Sequence, residues 1–198
     1  MFVKRLILIL TIAVTDHIHA YNGTQLEQLI TTKQCSGCDL SKANLRGYNL
    51  NGAQLDHANL SETDLSAALL KGTNLQYANL QGTLFNSSLM ENSDLSYATA
   101  TGAQFVHTHL HSSKFVHTIL AQANFTFSKV IGAIFTGAHF DQTSFDHADL
   151  NDADLTATTG SITTDDRTSF CCTKLADGSI KSEPGPHCSR SEIEACPK

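Results

Sequence analysis

The sequence predicts an all-β solenoid, a chain wound into a four-sided coil, and three observations carry that expectation. Twenty-four consecutive five-residue units run from Cys38 to Leu155 without insertion or deletion, and every fifth residue from Leu40 to Leu155 is large and apolar in 23 of the 24 slots, Ala100 being the exception. Two residues before each of these stands a small column, Cys38, Ala43, Tyr48, Ala53, Ala58, Thr63, Ala68 and onward to Ala153, in which Tyr48 is the one bulky member. Like residues also recur at twenty: Phe85, Phe105, Phe125 and Phe145 form one series, and Phe115 with Phe135 a second. A period of five matches neither the 3.6 of a helix nor the 2 of a strand, so the inward residues share a side only if the backbone turns once per unit. Four units per turn explain the recurrence at twenty, because a ten-residue turn is too narrow for two facing Phe columns. The other three positions of each unit are mostly polar, as a solvated wall requires.

Taken in chain order, residues 1–20 read as a secretory leader: Lys4 and Arg5 precede the apolar run Leu6 to Val14, with cleavage expected after Ala20. An uncleaved anchor is the alternative, since Ile18 is an unusual residue three places before the cut. The run is too short to span a bilayer, and no later segment is a candidate. Residues 21–37 form an N-terminal cap. Thr24 followed by Glu27 is a capping-box pattern, and Leu26, Leu29 and Ile30 share one helical face, which predicts a helix over about residues 25 to 33 lying on the first coil. Residues 38–157 are the coil. Residues 158–198 hold all three prolines and the turn Asp177-Gly178 and read as a C-terminal cap, with Ser189 to Ala195 a last short helix. Caps are needed because a coiled sheet leaves unpaired backbone at both ends.

The six cysteines, Cys35, Cys38, Cys171, Cys172, Cys188 and Cys196, suit three disulfides in an exported chain, with an N-terminal clip and a separate C-terminal pair among fifteen formal pairings. A redox role for Cys35 and Cys38 is disfavoured because Cys38 occupies an inward column. Zinc on the tail cysteines with His187 is disfavoured by the exported context and the absence of a paired CxxC there. No metal and no cofactor are expected. The net charge of -6 becomes -7 after loss of Lys4, Arg5 and Asp16, which argues against a basic nucleic-acid groove.

The outward series at period twenty forms the candidate binding surface: His57, Tyr77, Tyr97 and His117 on one edge, and His107, Phe127 and His147 on the opposite edge, at about 4.8 Å intervals. Such rings either bind a sugar, a peptide or another chain, or merely cover each other. Leu69, Leu89, Ile119, Ile131 and Ile134 add apolar surface. A metal or general-base role for His107, His109, His111 and His117 is disfavoured, because residues ten apart sit on opposite corners. Surface histidines make any partner binding pH-sensitive, an expectation that equal affinity at about pH 5.5 and 8 would refute.

Units such as Ala43-Asn44-Leu45-Arg46-Gly47 and Ala58-Asn59-Leu60-Ser61-Glu62 resemble the A(D/N)LXX signature of the pentapeptide-repeat family over residues 38 to 155. The resemblance implies a right-handed quadrilateral β-helix of about six coils. Cys35-Ser36-Gly37-Cys38-Asp39-Leu40 resembles the CxxCDL opening of exported members, and Phe170 to Gly178 followed by Cys188 resembles their FCxTxxPDG tail, with Ala176 in place of Pro. By that resemblance Cys171 pairs with Cys188, leaving Cys172 for Cys196.

The leading expectation for function is a non-enzymatic exported binding or scaffold module of the cell envelope. It is periplasmic or extracellular, or lumenal in the thylakoid of a photosynthetic source. Its partner is a protein or glycan, and it acts as a monomer or homodimer without nucleic acid or a stable membrane span. The alternative implied by the resemblance is a DNA-mimic protein acting on a topoisomerase such as gyrase; scattered acidic residues, export and the cysteines weigh against it. A hydrolase using the histidines is a third, weaker reading.

Overall fold

The computed structural model describes residues 21–182, 188 and 190–196; the leader, His187 and Ser189 lie outside them. The chain is a right-handed quadrilateral β-helix. Single-residue parallel bridges join positions twenty apart, from Gln34↔Gln54 through Asn74↔Asp94 and Lys114↔Ile134 to Asp154↔Lys174. This ladder begins four residues before Cys38 and continues beyond residue 157, the bounds that the five-residue period suggests. It does so because Thr168, Phe170 and Thr173 keep the inward columns after the sequence signature fades.

Each unit is a two-residue extended piece and a corner. At the corner the N–H of the small-column residue donates to the carbonyl three residues back, as Ala43 does to Leu40 at 3.1 Å. The residue two places after each core Leu or Phe has a positive φ, the pattern of a type II turn. Glycine serves at Gly37, Gly47, Gly52 and others, but Lys42, Glu62, Tyr77, Tyr97 and Phe127 adopt the same conformation. A side chain there costs roughly 1–2 kcal/mol relative to glycine.

The core is the stack of inward residues. Phe85, Phe105, Phe125 and Phe145 lie parallel with centroids 4.9, 4.5 and 4.7 Å apart. Phe115 and Phe135, 4.7 Å apart, meet them edge-on. Threonine recurs in the small column for a reason beyond size: its hydroxyl donates to a carbonyl one coil below, as Thr63 does to Leu40 (2.8 Å) and Thr83 to Leu60 (2.7 Å). Ser128 and Thr158 donate within their own corner instead, and the buried Ser88 Oγ has no partner. Ser88→Ala is therefore expected to hold or raise stability, whereas Thr83→Val loses about 1 kcal/mol in chemical denaturation. Tyr48, the bulky member of the column, stands in the first coil, where its side chain is exposed rather than inward.

The N-terminal cap is α1 (Gly23–Thr32), with Leu29 buried on the coil. Its N-cap is Asn22, whose Oδ1 accepts from the N–H of Thr24 and Gln25, so Thr24 is not the cap that the sequence pattern suggests. Asn22 is the stronger cap here because its carboxamide reaches two orphan N–H groups and also accepts the Thr24 hydroxyl at 2.6 Å. At the other end, β1 (His139–Ser144) pairs in parallel with β2 (Thr159–Thr163) and slips by one residue between Phe140 and Thr143. A hairpin of β3 (Thr173–Lys174) and β4 (Ile180–Lys181) follows, then α2 (Arg190–Ala195). Disulfides join Cys35 to Cys38, Cys171 to Cys188 and Cys172 to Cys196. Each of the two tail bridges closes a loop long enough to contribute about 3 kcal/mol by restricting the unfolded chain.

Candidate interaction surface

The corner geometry decides where the exposed rings stand. His57, Tyr77, Tyr97, His107, His117, Phe127 and His147 all occupy the positive-φ corner position, the place best suited to glycine. A side chain there leaves the corner pointing outward, and the twenty-residue turn places each above the last. His57 on Tyr77 and Tyr77 on Tyr97 are parallel stacks 4.9 Å apart, and Tyr97 to His117 is 5.4 Å with a 28° tilt. On the opposite corner His107 stacks on Phe127 at 4.9 Å and Phe127 meets His147 at 4.5 Å, tilted by 50°. Tyr77 is 50% exposed, Tyr97 48% and Phe127 46%. Stacking covers the ring faces, so what each ladder offers solvent is ring edges, two phenol hydroxyls and imidazole nitrogens.

Each ladder ends differently. The first stops at Gly137, where a Cβ would come 2.5 Å from the His117 ring, so the imidazole settles over bare backbone. The second ends in a polar cluster that the sequence did not disclose. His147 Nδ1 lies 2.5 Å from Asp165 Oδ2, and Arg167 Nη1 lies 3.4 Å from His147 Nε2. Asp165 comes within reach because the chain after β2 bends back, with the Asp165 side chain accepting from Thr168 and from the N–H groups of His147 and Arg167.

Burial opposes ionisation of Asp165, but the His147 N–H, the Thr168 hydroxyl, the Arg167 N–H and the His147 ring together hold its carboxyl below the ordinary Asp value. A depressed folded pKa contributes stability that is present above the unfolded value near 3.9 and is lost as pH falls through the folded one. Amide exchange at Phe145 to Thr163 is therefore expected to quicken as pH falls below about 4, once corrected for intrinsic rates, and Asp165→Asn should remove that dependence.

The other polar candidates stand apart. His109 and His111 meet edge-on at 6.1 Å, with Glu91 Oε1 3.9 Å from His109 Nδ1. His107 and His117 lie on opposite corners, so the four histidines do not converge. Leu69 bridges Leu89 on one wall, and Leu89 and Ile119 are exposed. The Sγ atoms of Cys171, Cys172 and Cys196 lie within 4.8 Å of one another, each already bound in a disulfide. Among the described residues no helix is long and apolar enough to cross a membrane.

The profile described as Pentapeptide repeats matches eight copies, over residues 34–72, 49–86, 73–111, 88–126 and 118–156. The chain belongs to the pentapeptide-repeat family. No curated protein sequence matches it. Solved structures similar to this pentapeptide-repeat protein include HetL, a pentapeptide repeat protein involved in heterocyst differentiation regulation from the cyanobacterium Nostoc sp. The identity is 20%, over 82% of this chain and 100% of that one, with a TM-score of 0.36. QnrB1, a plasmid-mediated fluoroquinolone resistance protein, shows 15% identity over 67% of this chain and 82% of that one, with a TM-score of 0.41. A pentapeptide repeat protein from the Arabidopsis thaliana thylakoid lumen shows 27% identity over 58% and 69%, with a TM-score of 0.31.

Proposed function

We propose that this pentapeptide-repeat protein is a non-enzymatic, exported binding or scaffold module that meets a partner protein of the cell envelope along its two ring ladders. The observation that carries the reading is the placement of seven aromatic or imidazole side chains at corner positions where glycine would relieve backbone strain. Lys42, Glu62 and other non-glycine residues bear the same cost, so what sets these seven apart is that they are rings stacked in register, with Tyr77, Tyr97 and Phe127 about half exposed. Sugars pack on ring faces, and these faces are covered, which favours a protein over a glycan as partner. Export is supported by the leader pattern of residues 1–20 and by three disulfides that persist in an oxidising compartment.

The DNA-mimic alternative needs acidic groups spread along the prism. Residues 38–138 instead carry 6 acidic and 5 basic side chains, so most of the wall is nearly neutral. Cell fractionation and intact mass test the reading. Protein beginning at Tyr21, in the periplasm or medium or the thylakoid lumen, and about 6 Da lighter than its reduced form, agrees with it. Full-length cytosolic protein with free thiols contradicts it and restores the mimic.

A further inference from the structure

We propose that the outer edge of β2 accepts one added strand from an extended, Lys- or Arg-bearing peptide, a surface separate from the ring ladders. Interior positions of the wall are paired on both sides: Ile119 bridges Thr99 and His139, and Asn124 bridges Gln104 and Ser144. Among the described residues strand β2 is paired only with β1. Among the described residues the chain after Leu175 does not pair with it. It turns back, with Leu175 N–H donating to Ser179 O, into the β3–β4 hairpin. All five β2 residues are exposed.

The sequence leaves this edge unguarded. Edge strands are usually blunted by Lys or Pro, yet residues 156–164 hold no charge and no proline, and five of the nine are Thr, with Ile162 beside them. An exposed β-branched edge of this kind offers backbone groups to an incoming strand.

Charge selects the occupant. Residues 139–166 carry seven Asp and no Lys or Arg. Asp141 is exposed one coil beneath β2, and Asp165 and Asp166 follow β2 after Thr164, with Arg167 next to them turned to His147. Among the described residues only Asp154, 3.8 Å from Lys174, and Asp165, beside His147, are ion-paired within this set. A second copy docking by the same edge brings two acidic collars together, whereas a basic peptide meets complementary charge. The acidic collar supplies attraction and register, and the strand edge supplies direction.

The test uses the oxidised full chain and two probes, eight-residue peptides alternating Thr with Lys and Thr with Glu, read by fluorescence anisotropy and by amide exchange. The Lys peptide is expected to bind, to slow exchange in residues 159–163, and to weaken at least tenfold between about 50 and 300 mM salt. Asp141→Asn with Asp166→Asn should weaken it at least fivefold at unchanged melting temperature. Failure of the Lys peptide to bind, equal binding of both peptides, or protection elsewhere on the prism overturns the proposal. So does concentration-dependent self-association that protects residues 159–163, which makes a second copy the occupant. The functional reading is tested separately, by fractionation and intact mass, so this proposal and that reading fail independently.

Discussion

Replacing Phe125 with alanine is expected to cost about 3–5 kcal/mol in chemical denaturation, the largest effect of any single core truncation in this chain. Phe125 is fully buried at the centre of the ring column. It is stacked on Phe105 and Phe145 at 4.5 and 4.7 Å and met edge-on by Phe115 and Phe135 at 5.8 and 6.0 Å. A coil cannot close over the void, because its height is fixed by the backbone ladder above and below. Phe125→Leu should cost about 1–2 kcal/mol, since Leu fills the equivalent slot in most other units and leaves a smaller cavity. A loss below about 1 kcal/mol for the alanine variant would show that the column is loosely filled.

Gly160→Ala is expected to cost about 3 kcal/mol or more, and to act on the C-terminal end first. Its φ is +86°, and a Cβ would stand 1.2 Å from the Phe140 carbonyl oxygen and 2.3 Å from its carbon, both backbone atoms that cannot yield by rotation. The contact falls at the Phe140↔Gly160 pair, immediately before the one-residue slip between β1 and β2. Gly102→Ala is the control: its φ is +69° but nothing lies within 4 Å of the added carbon. It should lose only about 1 kcal/mol of corner strain. Equal losses for the two variants would mean that the slip does not hold the strands in contact. Amide exchange locates the effect, with the Phe140 to Thr163 amides opening before those of the Phe105 and Phe115 coils.

The sequence carries the wall of this prism more plainly than its corners or its ends. The five-residue period and the recurrence at twenty place Phe85 to Phe145 in one column and His57 to His117 in another, because side chains at a constant shift must stack whatever the local backbone does. The positive-φ corner is marked more faintly, by Gly37, Gly47, Gly52, Gly72, Gly82 and Gly102 at the same place in the unit among many non-glycine residues there. The threonine hydroxyl bonds were hidden because size alone already explains a small column.

The final coil was lost where the β1–β2 slip breaks the count. Thr168, Phe170 and Thr173 nevertheless keep their places, and Thr168 and Thr173 still donate to Phe145 and Leu150 one coil below. The Asp165 contact with His147 depends on that same irregular bend, and no local pattern announces it.

Thermal denaturation of Tyr77→Gly/Tyr97→Gly beside Tyr77→Ala/Tyr97→Ala tests most directly the claim that the exposed ladder serves recognition rather than the fold. Both pairs lose the stacked rings, worth about 0.5–1.5 kcal/mol per contact, but only glycine relieves the positive-φ cost of about 1 kcal/mol per corner. The account predicts that the glycine pair melts within about 3 °C of the parent and the alanine pair melts lower. A glycine pair that melts as low as the alanine pair, well below the parent, would contradict it and assign the rings to the stability of the coil.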